Sequence, residues 1–401
     1  MRVQSCVVCR VGVWLVVMLL VLALAGCGRW SRDAGEAPAP LPEFTPVAEP
    51  QAVWTRSIGR AGDRYLWKVQ PGVLDDRVVV ADAQGRVSAL QPASGQRLWE
   101  QRLRDVRVSA GVSVGAGVAL LGTLEGDVVA LNLDDGQELW RSRLTSEVLA
   151  LSAVGSGGVA VARTNDGRLH AFDGVSGAML WSMQRETPAL SLRGTHQPQM
   201  LPGRVLAGFD TGRLLMLGLG RGNVLWEFMV AAPQGRSELE RLVDIDGYIP
   251  VQRGVAYASA YQGRLVALTL DSGERIWERS FSSYQGGAID PDADILVMTA
   301  DDSHLWGLDA NNGGDLWQQS GLRLRSVSAP VAVGNGQIVV GDFEGYLHWL
   351  SVEDGGFLAR LRLASAPVVS RPVVHDGVLY VLTANGRLSA VPAQVSAALD
   401  S

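Results

Sequence analysis

The sequence is poor in lysine, cysteine and histidine: Lys68 is the only lysine among 35 basic residues, and 401 positions hold 3 cysteines and 5 histidines. No basic run interrupts a net charge of −6, so the electrostatic footprint of a nucleic-acid binder is missing. His170 and His348 each lie three residues after an equivalent turn glycine, while His196, His304 and His375 stand isolated in the sequence. No His-x-x-x-His spacing occurs, which gives a resident metal no ligand set. Neither a Walker loop nor a Gly-x-Ser-x-Gly elbow at a strand-to-helix turn is present, so no catalytic residue is assigned. Acidic residues such as Asp82, Asp301 and Asp342 fall at strand ends or turns, where solvated carboxylates are expected.

Long apolar runs are equally scarce. The one that exists, Val11 to Ala23, is apolar except for Gly12 and follows Arg2 and Arg10. A membrane span needs about 20 such residues, so this run reads as the core of an export signal over residues 1–26. It ends in Leu24-Ala25-Gly26-Cys27, a match to the bacterial lipobox that predicts acylation of Cys27. An ordinary signal peptide that happens to contain a cysteine is the alternative. Loss of the leader removes Cys6 and Cys9, leaves Cys27 alone, and brings the charge to −8, with 33 basic against 41 acidic residues. No internal disulfide is then possible, and a large core does not require one. Multiple acyl chains, each CH₂ contributing about 0.8 kcal/mol, would hold the protein on a membrane. Gly28 in place of aspartate favours the outer membrane, by resemblance to Gram-negative lipoproteins. Residues 27–51, with Pro38, Pro40, Pro42, Pro46 and Pro50, read as an extended tether.

What the chain does have is a repeat. In Leu120 to Trp140, three alternating apolar runs are separated by turns at Gly126 and Gly136. A period of two puts one side of each run into a core, which is an antiparallel meander. The same phase recurs at Gly85/Gly95/Trp99, Gly167/Gly177/Trp181, Gly212/Gly222/Trp226, Gly263/Gly273/Trp277 and Ser303/Gly313/Trp317. A seventh copy, Gly345/Gly355, has Ala359 in the tryptophan column, and an eighth stops after Gly386. Successive tryptophans from Trp99 to Trp317 are 41, 41, 45, 51 and 40 residues apart. A period near 40 with four strands per unit predicts an all-β, eight-bladed β-propeller over residues 52–398. Ala52-Val53-Trp54-Thr55 resembles the last strand of a unit and lies 45 residues before Trp99, so the N-terminal strand is expected to complete the eighth blade.

The irregularities point to a site. The two long intervals, Trp181 to Trp226 and Trp226 to Trp277, are adjacent, and both extra segments follow a tryptophan strand, which places them on one face of the disc. The first carries Leu190, Leu192 and Arg193; the second carries Asp244 and Asp246. Apolar anchors beside charges suit a protein-binding spot. The same residues could instead seal the core, with Arg193 pairing internally to Asp244 or Asp246. Length alone does not decide, because the interval before Trp99 is also 45 residues.

Lipobox, proline-rich tether, Gly-x-x-x-Trp blade ends, Leu190-Ser191-Leu192-Arg193-Gly194 and Arg241-Leu242-Val243-Asp244-Ile245-Asp246 together resemble the BamB family of outer-membrane protein assembly factors. The resemblance runs from Cys27 to the end of the chain and departs from the family at Ala359. It implies a non-enzymatic lipoprotein on the periplasmic face of the outer membrane. It also implies that Leu190, Leu192, Arg193, Asp244 and Asp246 bind the BamA subunit of the β-barrel assembly complex through a POTRA module, with nascent outer-membrane proteins as a further class of partner. Quinoprotein dehydrogenases share the tryptophan repeat but resemble this chain in blade pattern only. Their disulfide of adjacent cysteines cannot form here, so no cofactor is expected. A scaffold for some other envelope partner is the remaining reading.

Overall fold

The computed structural model describes residues 36–59, 69–153, 158–290, 292–368 and 370–396. Its contacts group residues 39–401 into one unit that holds every strand, and Met1–Pro38 into another, of which only residues 36–38 are described. The expected leader and Cys27 therefore lie outside the described residues.

Among the described residues, thirty-two strands form eight four-stranded antiparallel sheets, and none of these residues is helical. Seven sheets are consecutive meanders whose fourth strands are Arg97–Arg102, Glu138–Arg143, Met179–Gln184, Val224–Met229, Arg275–Ser280, Asp315–Gln319 and Phe357–Arg362, here numbered blades 1 to 7. Blade 8 takes three strands from the C-terminal end, Val373–His375, Val378–Thr383 and Arg387–Pro392, and its fourth from the start, Trp54–Ser57. Trp54 pairs with Ala390 and Ser57 with Arg387, so the first strand does close the ring. The closure strand runs two residues further than the Ala52–Thr55 reading.

Middle strands such as Val118–Thr123 and Asp127–Asn132 are buried on both faces, because each sheet packs on a neighbour from either side. Apolar clusters accordingly sit between blades. One joins blades 4 and 5 through Met216, Val243, Ile245 and Val266, and another joins blades 7 and 8 through Trp349, Val368 and Val391.

The tryptophan and second-glycine columns meet across these junctions. The indole of Trp54 lies on Gly95, Trp99 on Gly136, Trp140 on Gly177, and so on to Trp317 on Gly355. A Cβ on any of these glycines would sit 2.5–2.7 Å from the ring, and each glycine has a positive φ, so only glycine fits. Each indole N–H donates to a backbone carbonyl of the next blade at 2.7–3.0 Å, from Trp54 to Pro92 through Trp317 to Val352.

Blade 7 shows why Ala359 can replace tryptophan. Blade 8 has no hairpin into its fourth strand and hence no glycine for a ring to lie on. Trp349, cross-strand partner of Ala359, fills the space and donates to Ala393 O at 2.8 Å, the equivalent carbonyl.

The proline-rich segment differs from expectation. From Ala39 on, it lies along the outer strand of blade 7 and does not stand free as a tether to residue 51. Phe44 stacks on Phe357 with centroids 5.4 Å apart, Val47 N donates to Leu358 O at 2.8 Å, and Arg360 reaches Pro42 O at 3.0 Å. Aromatic burial and the Arg360 guanidinium, 5.0 Å from the Phe44 ring, hold the segment on the blade.

Candidate partner-binding site

Two connectors build the site: residues 185–198, leaving blade 3 after Met179–Gln184, and residues 230–250, leaving blade 4 after Val224–Met229. They meet, as their adjacent positions predict. Leu192 N donates to the Asp244 carboxylate, and His196 N donates to Asp246 Oδ1 at 3.1 Å. Gly194 makes the approach possible, since a Cβ there would lie 2.9 Å from Asp246 Oδ1 and 3.1 Å from Arg163 Nη1.

The two aspartates are not at the surface, so they do not present their charges to solvent as the protein-binding reading would have them do. Asp244 is 0% exposed and Asp246 8%. Leu242, Val243, Ile245 and Ile249 are also buried, and the last three pack into the cluster between blades 4 and 5, which draws the acids in with them. Desolvation, reinforced by the nearby Asp210 carboxylate, pushes Asp244 up to about 7 despite the stabilising bond from Leu192 N. Its Oδ1 has no hydrogen-bond partner. Beneath the loop, Arg163 forms a buried ion pair with Asp210.

The first connector presents the other expected residues. Leu190 is 41% exposed, while Leu192 and Arg193 are half-buried. Arg193, at φ +58°, is held by Glu147 from the link between blades 2 and 3, with Nε 3.2 Å from Oε2 and a second contact through Nη2. Glu147 was not singled out in the sequence, because nothing local marks an acid 46 residues away as the arginine's partner. The second connector also exposes Leu239, at 66%, which sequence reasoning passed over as one apolar residue in a charged run.

On their inner side the connectors border an axial cavity of about 350 Å³, lined by Thr195, His196, Asp246, Tyr248, Ser328 and Arg371 among others. Burial, with Arg163 and Arg371 close by, lowers His196 to about 3, so its ring is neutral. Of the turn carboxylates, Asp301 is exposed as expected and the other two depart from expectation. Asp82 and Asp342 are buried, each closing its turn by accepting two backbone N–H groups at 2.8–3.0 Å. His375, isolated in sequence and itself half-buried, lies 2.9 Å from the exposed Asp75 of blade 1 and near the exposed Asp376, the one group of its kind among the described residues.

The family model described as outer membrane protein assembly factor BamB matches residues 83–319 and 302–396. The chain belongs to the BamB family. It is 50% identical to BamB of Pseudomonas aeruginosa over 94% of this chain and 98% of that one, and 47% identical to BamB of Alkalilimnicola ehrlichii over 94% and 96%. BamB of Escherichia coli is 34% identical over 93% and 97%. Among solved structures, BamB of Moraxella catarrhalis matches with TM-score 0.77 and 27% identity, covering 86% of this chain and 99% of that one. A quinohemoprotein alcohol dehydrogenase from Comamonas testosteroni reaches TM-score 0.65 at 12% identity over 86% and 76%, a likeness of fold alone.

Proposed function

We propose that this chain is a non-enzymatic scaffold of the outer-membrane β-barrel assembly complex, anchored on the periplasmic face through acylated Cys27, and that it binds the BamA subunit by a POTRA module. Leu190, Leu192 and Arg193 make the contact, while Asp244 and Asp246 act from beneath as positioning residues. One observation carries this reading: a connector tied down by two buried carboxylates still leaves Leu190 in solvent. A loop whose only task was to seal the core would bury that side chain, whereas a preorganised loop with an apolar tip loses little entropy on binding. Leu190→Glu combined with Leu192→Ala should abolish co-purification of BamA from solubilised envelope while shifting the thermal midpoint by no more than a few degrees. Full co-purification by the double variant would sink the site assignment, and capture of a different envelope protein would favour another partner.

A further inference from the structure

Every tryptophan in the column is preceded by an aliphatic residue: Leu98, Leu139, Leu180, Leu225, Ile276 and Leu316 on outer strands, and Val53 just before the closing strand, all exposed. The equivalent residue of blade 7, Leu358, is covered. Its cover is the chain's own segment 39–50, which lies against the outer strand, bonds Leu358 O through Val47 N, packs Ala48 against the same cluster as Leu358, and sets Phe44 on Phe357. The molecule thus shows what one of its outer edges accepts: a stretch of polypeptide that offers a backbone donor and an apolar side chain.

Which free edge matches blade 7 is decided by the Phe357 column, one position before the aliphatic. Blades 1, 2, 5 and 6 have Arg97, Glu138, Arg275 and Asp315 there, and a charge is the usual guard of an open edge. Blade 8 has Ala52, whose methyl offers little surface, whereas blades 3 and 4 have the larger Met179 and Val224. Met179, Leu180, Val224 and Leu225 are therefore consecutive apolar pairs, all 42–50% exposed, on neighbouring outer strands with no covering segment among the described residues. The geometry points to the rim of blades 3 and 4 as a docking edge for extended, apolar-bearing segments of unfolded polypeptide, held by main-chain hydrogen bonds and side-chain contacts as in strand addition. Prolines at 42, 46 and 50 let the chain's own segment cap blade 7 without offering a further edge; blades 3 and 4 have no such cap and stay open to other chains.

The test uses the full chain and a short fluorescein-labelled peptide that alternates valine and threonine around one phenylalanine, with arginine ends. Fluorescence anisotropy should show saturable binding that weakens by about tenfold, or 1.4 kcal/mol, in Leu180→Glu/Leu225→Glu. Leu98→Glu/Leu139→Glu, on the guarded blades, should bind as the unsubstituted chain does, and N-methylation of alternate peptide bonds should remove binding. Leu190→Glu/Leu192→Ala should leave peptide binding intact, which separates this surface from the connector site. No binding, equal loss in both pairs of variants, or binding indifferent to N-methylation would overturn the proposal. So would sedimentation showing that this rim is covered by a second copy of the chain.

Discussion

Asp244 is a carboxyl group with one oxygen bonded by a backbone N–H and the other unsatisfied, pushed up to about 7 by desolvation. An unfolded aspartate titrates near 3.9. Between these values the folded state holds a proton that the unfolded state has released, so stability falls as pH rises from about 4 through about 7 and levels off above. Asp244→Asn keeps an acceptor for Leu192 N and abolishes the charge. It should therefore stabilise the protein by about 1 kcal/mol or more at pH 8, with the gain shrinking toward pH 4. Urea denaturation across that range measures it; a gain independent of pH would remove the carboxyl from the account. Asp342 shows the opposite sign. Its partners His348 and Arg325, with bonds from backbone N–H groups, outweigh desolvation and hold it below the usual carboxylate range, so its contribution is present above about pH 4 and is lost as pH falls through the lowered value.

At the scale of the element, the segment along blade 7 should detach as a unit. Phe44→Ala removes the ring that stacks on Phe357 and faces Arg360, and costs about 0.5–1.5 kcal/mol beyond the buried area. Hydrogen exchange should then quicken at the Val47 amide while amides of the middle strand Tyr346–Ser351 keep their protection. Unchanged exchange at Val47 would show that the hydrogen bonds of Arg325 and Arg360 to Ala39 and Pro42 suffice. This element was also the hardest to read in advance. Blades announce themselves because glycine and tryptophan recur in phase, each ring lying on a glycine and bonding a carbonyl 33–44 residues away in a contact that repeats around the ring. A proline-rich segment used once carries no period, and its composition is that of a linker. The connectors were half legible: their meeting followed from adjacent insertions. The burial of Asp244 and Asp246 did not, because alternation of Asp244 and Asp246 with Val243 and Ile245 gives a polar and an apolar face, and this fold buries both.

For the whole molecule, closure concentrates in a single junction. Among the described strands, that of Trp54 alone is delivered from the other end of the chain; its indole packs on Gly95 of blade 1 and bonds Pro92. Trp54→Ala should cost about 3–5 kcal/mol, the range for truncating a large buried aromatic. It should release the amides of Arg387 to Ala390 well before those of blade 4, and exchange that accelerates evenly in every blade would show that no junction is weaker than the rest. Thr55 and Ser389, whose hydroxyls touch across this junction, are 334 residues apart. A loop so long is entropically expensive to shut, and such distant pairings form slowly. Since synthesis runs from the N-terminus, the first strand made must wait, edge open, for nearly the entire remaining chain to leave the ribosome. A product truncated before its final hairpin therefore keeps a permanent seam, fit for recognition by proteases or for pairing with another copy.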